Sequence, residues 1–199
     1  GDNTANFQML HNSISMSMVT GLCGMPLTGA DLGGFNGNTW DQLFYRWYQT
    51  GVLAYPLYRN HCHEDSEHRE PYLFDNHTQN LVRNATKLRY QLAPLWYTAL
   101  QTNHETGIPP VLPLFALYPE IDELHDVDDQ FILGQTLMGA PITVEDTRTR
   151  KVIKPPGKWY DFYTGKEFNE TTNIDVTDTS LPIYVRGGTI TPMFTKVGS

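Results

Sequence analysis

Cysteine is scarce in this chain, basic residues are outnumbered, and no apolar run is long. Only Cys23 and Cys62 occur, so no disulfide framework organises the fold, and whether these two pair is left open. Lysine and arginine total 14 against 22 aspartates and glutamates, a formal net charge of −8 with no basic stripe. Nucleic acid is therefore excluded as an expected partner, because phosphate binding needs clustered cations. Nothing approaches the roughly 20 consecutive apolar residues of a membrane-spanning helix, and the first residues do not read as a signal peptide. Gly-x-Ser-x-Gly, Gly-x-Gly-x-x-Gly and Walker sequences are missing too, so neither a hydrolase serine elbow nor nucleotide chemistry has support. What is present is 40% hydrophobic residues, with aromatics at 12%, over 199 positions. That composition suits one large or two small globular domains with a real core.

The texture changes along the chain. Phe7, Leu10, Ile14 and Met18 recur at helical spacing and predict a helix over residues 4–20. Residues 22–28 read as a short buried strand. Thr39 then reads as an N-cap, completed by Gln42 as a capping box, with Trp40, Leu43, Phe44 and Trp47 as the apolar stripe and Gly51 as the stop. Residues 52–58 read as the next strand. A long helix over about 77–104 should kink at Pro94 and end at Gly107. From about residue 110, short β-rich runs alternate with turns, at 111–118, 131–142, 151–153, 159–163, 181–185 and 189–194. Helix–strand alternation giving way to strand–turn–strand implies α/β plus β: the C-terminal portion of a (β/α)8 TIM barrel over 1–111, then an antiparallel β-sandwich domain over 112–199. At most three strand–helix repeats precede the change, short of the eight that close such a barrel, so the chain is expected to be part of a longer protein or of a processed one.

Polar groups cluster where the putative strands end. Gly29-Ala30-Asp31-Leu32-Gly33-Gly34-Phe35 places a carboxylate on a glycine-flexed turn, and Arg59-Asn60-His61 follows one repeat later. Strand ends on one rim are where barrel enzymes build active sites, and two carboxylates are what glycoside hydrolysis needs. Asp2, just before a helix, fits an N-cap by itself. Asp31 fits equally a turn-forming residue or a ligand carboxylate. His61, His63 and His68 sit among Glu64 and Asp65, but without a metal-ligand spacing; hydrogen bonding to sugar hydroxyls is the more economical reading, with no metal and no cofactor expected. Phe35 is the ligand-facing aromatic candidate. Three N-x-[ST] acceptors, at Asn76, Asn84 and Asn169, permit glycosylation and a secretory-pathway location.

Taken in order, Gly1-Asp2-Asn3-Thr4, the Gly29–Phe35 turn, Arg46-Trp47-Tyr48-Gln49-Thr50-Gly51, Arg59-Asn60-His61, Arg69-Glu70-Pro71, Arg89-Tyr90-Gln91-Leu92-Ala93-Pro94, Trp159-Tyr160-Asp161-Phe162-Tyr163-Thr164-Gly165 and Val185-Arg186-Gly187-Gly188 resemble the family-31 glycoside hydrolases, the α-glucosidase family. The resemblance implies a retaining exo-α-glucosidase with Asp2 as the catalytic acid/base, which displaces the N-cap reading. Asp31, Phe35 and His61 match substrate-binding positions, and Arg59 matches a position that orients carboxylates. The nucleophile, an aspartate of a Trp-x-Asp-Met-Asn-Glu type motif, is absent from these residues and is expected on an N-terminal remainder of the enzyme. His61-x-His63-x-Asp65 leading to Arg69-Glu70-Pro71-Tyr72 is most similar to the branch of the family that trims α-1,3-linked glucose from N-linked glycans in the endoplasmic reticulum lumen beside a noncatalytic β-subunit. Broader maltose, starch or xyloside specificity, or a noncatalytic carbohydrate-binding subunit, are the alternatives. Two departures stand out: Leu112 occupies a place where the family shows arginine, removing an expected ion pair at the domain junction, and the loop at 35–39 is short.

Overall fold

The computed structural model describes residues 2–196. Four helices come first: α1 (Phe7–Leu22), α2 (Asp41–Ala54), α3 (Asn76–Gln91) and α4 (Ala93–Thr106). Asn6 caps α1, its side-chain oxygen accepting the Met9 N–H at 2.7 Å. Leu10, Ile14 and Met18 are buried as their spacing requires. A helical C-terminal half follows the bend at Leu92, with Pro94 in the first turn of α4, where its missing N–H costs nothing. Gly107, at φ +78°, ends α4 and donates its N–H to the Asn103 carbonyl.

Both expected barrel strands are displaced. Residues 22–28 are not a strand: α1 runs through Leu22, and Met25 and Leu27 are exposed. Residues 52–54 still belong to α2, which is buried from Leu43 through Ala54. A short apolar run carries no period that separates a buried helix turn from a buried strand. Gly51 is not a stop either. It sits inside α2, where a Cβ would meet Leu32 Cδ2 at 2.8 Å, so it is a packing glycine. Thr39 makes no cap; Trp40 occupies that position with no side-chain cap bond. The extended stretches begin later than expected. The Leu57 N–H donates to the Thr28 carbonyl at 3.1 Å and the Leu32 N–H to the Arg59 carbonyl at 2.9 Å, setting residues 28–32 and 57–59 side by side in the same direction.

The second half is a layered β structure. β1 (Val111–Pro113), β2 (Phe131–Leu133), β3 (Leu137–Gly139), β5 (Trp159–Asp161), β6 (Glu167–Phe168) and β8 (Ile183–Arg186) form an antiparallel sheet in the order β1-β2-β3-β8-β5-β6; β4 (Thr149–Val152) pairs with β7 (Thr172–Asp175). Residues 111–118 are strand only to Pro113 and then form the one-turn α5 (Leu114–Leu117), while 189–194 form no strand. Alternation along β2 divides the core. Phe131 and Leu133 lie on the helix side with Leu10, Trp47 and Leu95, while Ile132 points to the other side of the sheet, into a core it shares with Met138, Trp159 and Tyr184 of the same sheet and Val152 of β4.

The two halves are joined by a clamp that composition alone does not suggest. Arg46, 2% exposed, donates to the carbonyls of Thr177, Asp178 and Ser180 and to Gln49 Oε1. Gln49 Nε2 donates to the Asp178 carbonyl at 2.7 Å, the Tyr45 hydroxyl to Asp178 Oδ1 at 2.8 Å, and His77 Nε2 lies 2.9 Å from Asp178 Oδ2. Leu112 itself is buried in β1 and takes no part in this network. The His77 hydrogen bond, then those of Tyr45 and the Arg46 charge, hold the Asp178 carboxyl below its ordinary value. A depressed carboxyl stabilises the fold above its unfolded value and loses that contribution as pH falls through the folded one. Asp178→Asn is accordingly expected to flatten the dependence of Tm on pH below about pH 4. Identical acid slopes for the variant and the parent would show that the clamp contributes nothing there.

Candidate active site at the ends of three adjacent segments

Three segments converge at one end of the helical half: residues 2–5, 28–36 and 57–61. Thr4 and Asn36 form a parallel bridge, and the Ala5 N–H donates to the Asn36 carbonyl at 2.8 Å. Asn3, buried, substitutes its side-chain amide for a peptide group: it donates to the Asp31 carbonyl at 3.0 Å and accepts the Asp31 N–H at 2.9 Å. The 2–5 and 28–36 segments are thereby locked in register.

Asp31 is 1% exposed. Its Oδ1 accepts from Arg59 Nε at 2.8 Å and Arg59 Nη2 at 2.7 Å; its Oδ2 has no partner among the described residues. A buried carboxylate needs such pairing, and an unmet buried oxygen costs on the order of 1–3 kcal/mol unless a ligand or neighbour supplies a donor. After Asp31 the chain turns through Gly33 and Gly34, at φ +88° and +96°. A Cβ on Gly34 would lie 2.4 Å from Ala5 Cα, so the loop can cross the 2–5 segment only as glycine. Arg69, 2% exposed, holds this loop from below, donating to the carbonyls of Gly33 (3.1 Å), Gly34 (2.5 Å) and Gly37 (2.6 Å).

That scaffold presents Phe35. Its ring centroid lies 5.2 Å from His61 and 5.6 Å from His63, the latter edge-on, and its carbonyl accepts the His63 N–H at 2.9 Å. His61 is exposed and Phe35 half-buried. Asp2 is exposed, at φ +59°, and its carbonyl accepts from Asn36 Nδ2 at 3.2 Å. It does not cap α1, because Asn6 does. With Asn3, Met9, Ser13, Thr28 and Ala30 it lines a cavity of about 220 Å³. All five residues singled out by sequence, Asp2, Asp31, Phe35, Arg59 and His61, are thus carried by these three segments. Gly1, the first residue of the Gly-Asp-Asn-Thr motif, lies outside the described residues.

The histidines do not converge. His63 Nδ1 lies 3.5 Å from Asp65 and His68 Nδ1 lies 3.6 Å from Glu70. Among the described residues the three-ligand grouping is elsewhere, at His11, Asp128 and Asp129. Cys23 and Cys62 are both free. Asn76, Asn84 and Asn169 are all exposed. Asn3 and Arg69 have structural roles that the sequence does not reveal. A buried amide and a buried guanidinium that tie together segments about thirty residues apart leave no local periodic signal; the one available hint was an arginine directly before Glu-Pro.

Two family models cover the chain: the glycosyl hydrolases family 31 TIM-barrel domain over residues 1–99, and the glycosyl hydrolase family 31 C-terminal domain over 107–191. Neutral alpha-glucosidase AB of Dictyostelium discoideum is 40% identical over 195 residues, 96% of this chain and 21% of that protein. A probable glucan 1,3-alpha-glucosidase of Arabidopsis thaliana is 38% identical over 196 residues, with 96% and 21% covered. Among solved structures, the catalytic subunit of an ER glucosidase II heterodimer, determined with the binding domain of its regulatory subunit, superposes with a TM-score of 0.90 at 38% identity, covering 94% of this chain and 21% of that one. The chain therefore spans about a fifth of the length of these relatives. With both family models laid end to end across the helical half and the β-layers, this chain belongs to glycoside hydrolase family 31 and comprises the C-terminal part of its barrel and the β-domain that follows.

Proposed function

We propose that the protein to which this chain belongs is a retaining exo-α-glucosidase that removes terminal α-linked glucose, and that its natural substrate is α-1,3-glucose on N-linked glycans. The observation that carries this reading is the buried Asp31 carboxylate, held by Arg59 with one oxygen unmet, directly before the loop that presents Phe35 beside His61. A carboxylate with spare acceptor capacity beside an aromatic face is suited to hydroxyls and to the apolar face of one sugar ring. In this reading Asp31 and His61 hold glucose hydroxyls, Phe35 lines the ring, and Arg59 orients Asp31. Asp2 protonates the departing glycosidic oxygen, then takes a proton from water. The nucleophilic aspartate comes from the part of the barrel outside this chain, about 5–5.5 Å from Asp2 as a retaining mechanism demands.

We keep the division between barrel and β-domain at residues 111 and 112 as part of this proposal; it falls within β1 (Val111–Pro113). The relatives support a lumenal location in the endoplasmic reticulum and a noncatalytic β-subunit as partner, since the superposed catalytic subunit carries such a subunit's domain. No helix of the described residues is long and apolar enough to cross a membrane. The test is the stereochemistry of the first product. The full-length protein, given an α-1,3-linked glucose disaccharide, is expected to release α-glucose before mutarotation, read by proton NMR. Initial β-glucose, or no release with intact binding, would overturn the reading.

A further inference from the structure

A second cleft lies away from the Asp31 loop, between α3 and the turn after β5. It encloses about 360 Å³, and Leu81, Asn84, Leu88, Gln91, Phe162 and Tyr163 are prominent in its wall. The floor is apolar: Leu81 and Ala85 are each 5% exposed and belong to the main core. One wall is a fixed aromatic. Tyr163 is 58% exposed, yet its hydroxyl donates to the Leu181 carbonyl at 3.1 Å and its ring stands at 90° to Phe162 with 5.1 Å between centroids. The ring is held in place while remaining open to solvent. The opposite wall carries two amides, Asn84 and Gln91, seven residues apart and so on one face of α3. Neither side chain makes a hydrogen bond among the described residues, whereas Gln49, deeper in the cleft, is committed to Arg46 and Asp178.

A rigid exposed ring facing two uncommitted amides over an apolar floor matches the two-sided chemistry of a pyranose. Its axial C–H face wants an aromatic surface, and its equatorial hydroxyls want planar groups that donate and accept. The volume falls in the range of small-ligand sites. From this we propose that the cleft is a second, noncatalytic pyranose-binding site. It goes beyond the catalytic reading and does not depend on it.

One source of the sugar is built into the rim. Asn84-Ala85-Thr86 is an acceptor tripeptide, and the Asn84 side chain is exposed at the cleft mouth. In N-glycosylation the Asn84 Nδ2 bonds to C1 of the first N-acetylglucosamine of a polyprenyl-pyrophosphate oligosaccharide; the C1–O bond to pyrophosphate breaks, and the amide proton is lost to base. Asn84 and Tyr163 line the same cleft, so a ring attached at Asn84 needs no further partner to be delivered to it. The other acceptors have no such seat: Asn76 stands at the first turn of α3 and Asn169 follows β6. The other source is a free glycan, which presents the same ring to the same walls.

The experiment uses the full-length protein and reads backbone hydrogen exchange in peptides covering 81–91 and 159–165, with glycopeptide mass at Asn84. If Asn84 carries a glycan, Asn84→Gln is expected to speed exchange in both peptides several-fold, identifying the chain's own glycan as the occupant. If it does not, methyl β-N-acetylglucosaminide is expected to slow exchange in both, with a Kd of about 1–10 mM. Tyr163→Ala should weaken that binding about 5-fold or abolish it. Hydrolysis of an aryl α-glucoside should be unchanged in both variants, separating this result from any failure of the catalytic assignment. Exchange that responds neither to glycan loss nor to ~50 mM glycoside, or a response that Tyr163→Ala leaves intact, would overturn the proposal.

Discussion

Asp2→Asn in the full-length protein is expected to reduce turnover of an unactivated α-glucoside by about 10³-fold, within the range that positioned proton transfer supplies. The substitution is unusually clean here. Asp2 sits at φ +59°, a left-handed conformation that costs most residues but that asparagine tolerates as well as aspartate. The structural role of the residue runs through its backbone carbonyl, bonded by Asn36 Nδ2, and its side chain is exposed. Asparagine therefore preserves the register of residues 2–5 and removes only the proton. The loss should depend on the leaving group. An aryl glucoside that departs without protonation should show a much smaller defect in forming the glucosyl-enzyme ester, which then accumulates because no base activates water. Azide, which needs no base, should restore turnover and yield a glucosyl azide of retained configuration. Turnover within about 3-fold of the parent on unactivated substrate would remove Asp2 from the acid/base role.

How far the sequence speaks depends on the range of each interaction. The helices were legible because burial at Leu10, Ile14 and Met18, or at Leu81, Val82 and Ala85, recurs at the helical period. The bend at Leu92 and the end at Gly107 were legible because proline and glycine act on the residues beside them. Residues 22–28 and 52–58 misled for the converse reason. Barrel strands are buried on both faces, so they announce themselves only as apolar runs, and α2 is apolar or buried on nearly every side as well. The carboxylate at Asp31 and the aromatic at Phe35 could be picked out from the glycines around them. What fixes them in space could not. Asn3 is 28 positions from Asp31, Arg69 is 35 from Gly34, and Arg46 is 132 from Asp178. Each of these is a buried polar side chain answering distant backbone, which leaves no repeat to find. The matched motifs marked Arg46 and Arg69 as characteristic of the family while leaving their work unspecified.

The work of Arg69 leads to the second large effect, which is expected to be both structural and catalytic. Arg69→Ala removes the donor to three loop carbonyls in a fully packed setting and leaves a void the size of a guanidinium. Each unmet buried acceptor costs on the order of 1–3 kcal/mol, so a destabilisation of about 3 kcal/mol or more is expected for the barrel half. Arg69→Lys is the informative companion. Lysine keeps the charge and most of the volume, but one ammonium cannot reach Gly33, Gly34 and Gly37 together as a planar fork does. The lysine variant should therefore fold, with a modest fall in Tm, while the loop carrying Phe35 relaxes over Ala5. Displacement of a binding group by about 1 Å is worth roughly 10²-fold in rate, so kcat/KM should fall on that scale. If Phe35 lines the sugar ring as proposed, it does so in ground and transition states alike, so part of the loss should appear in KM, whereas Asp2→Asn should act on kcat. Lysine at full kcat/KM with a lowered Tm would mean that the 33–37 loop keeps its shape through Asn3, Asn36 and the glycines alone, and that Arg69 serves stability without placing Phe35.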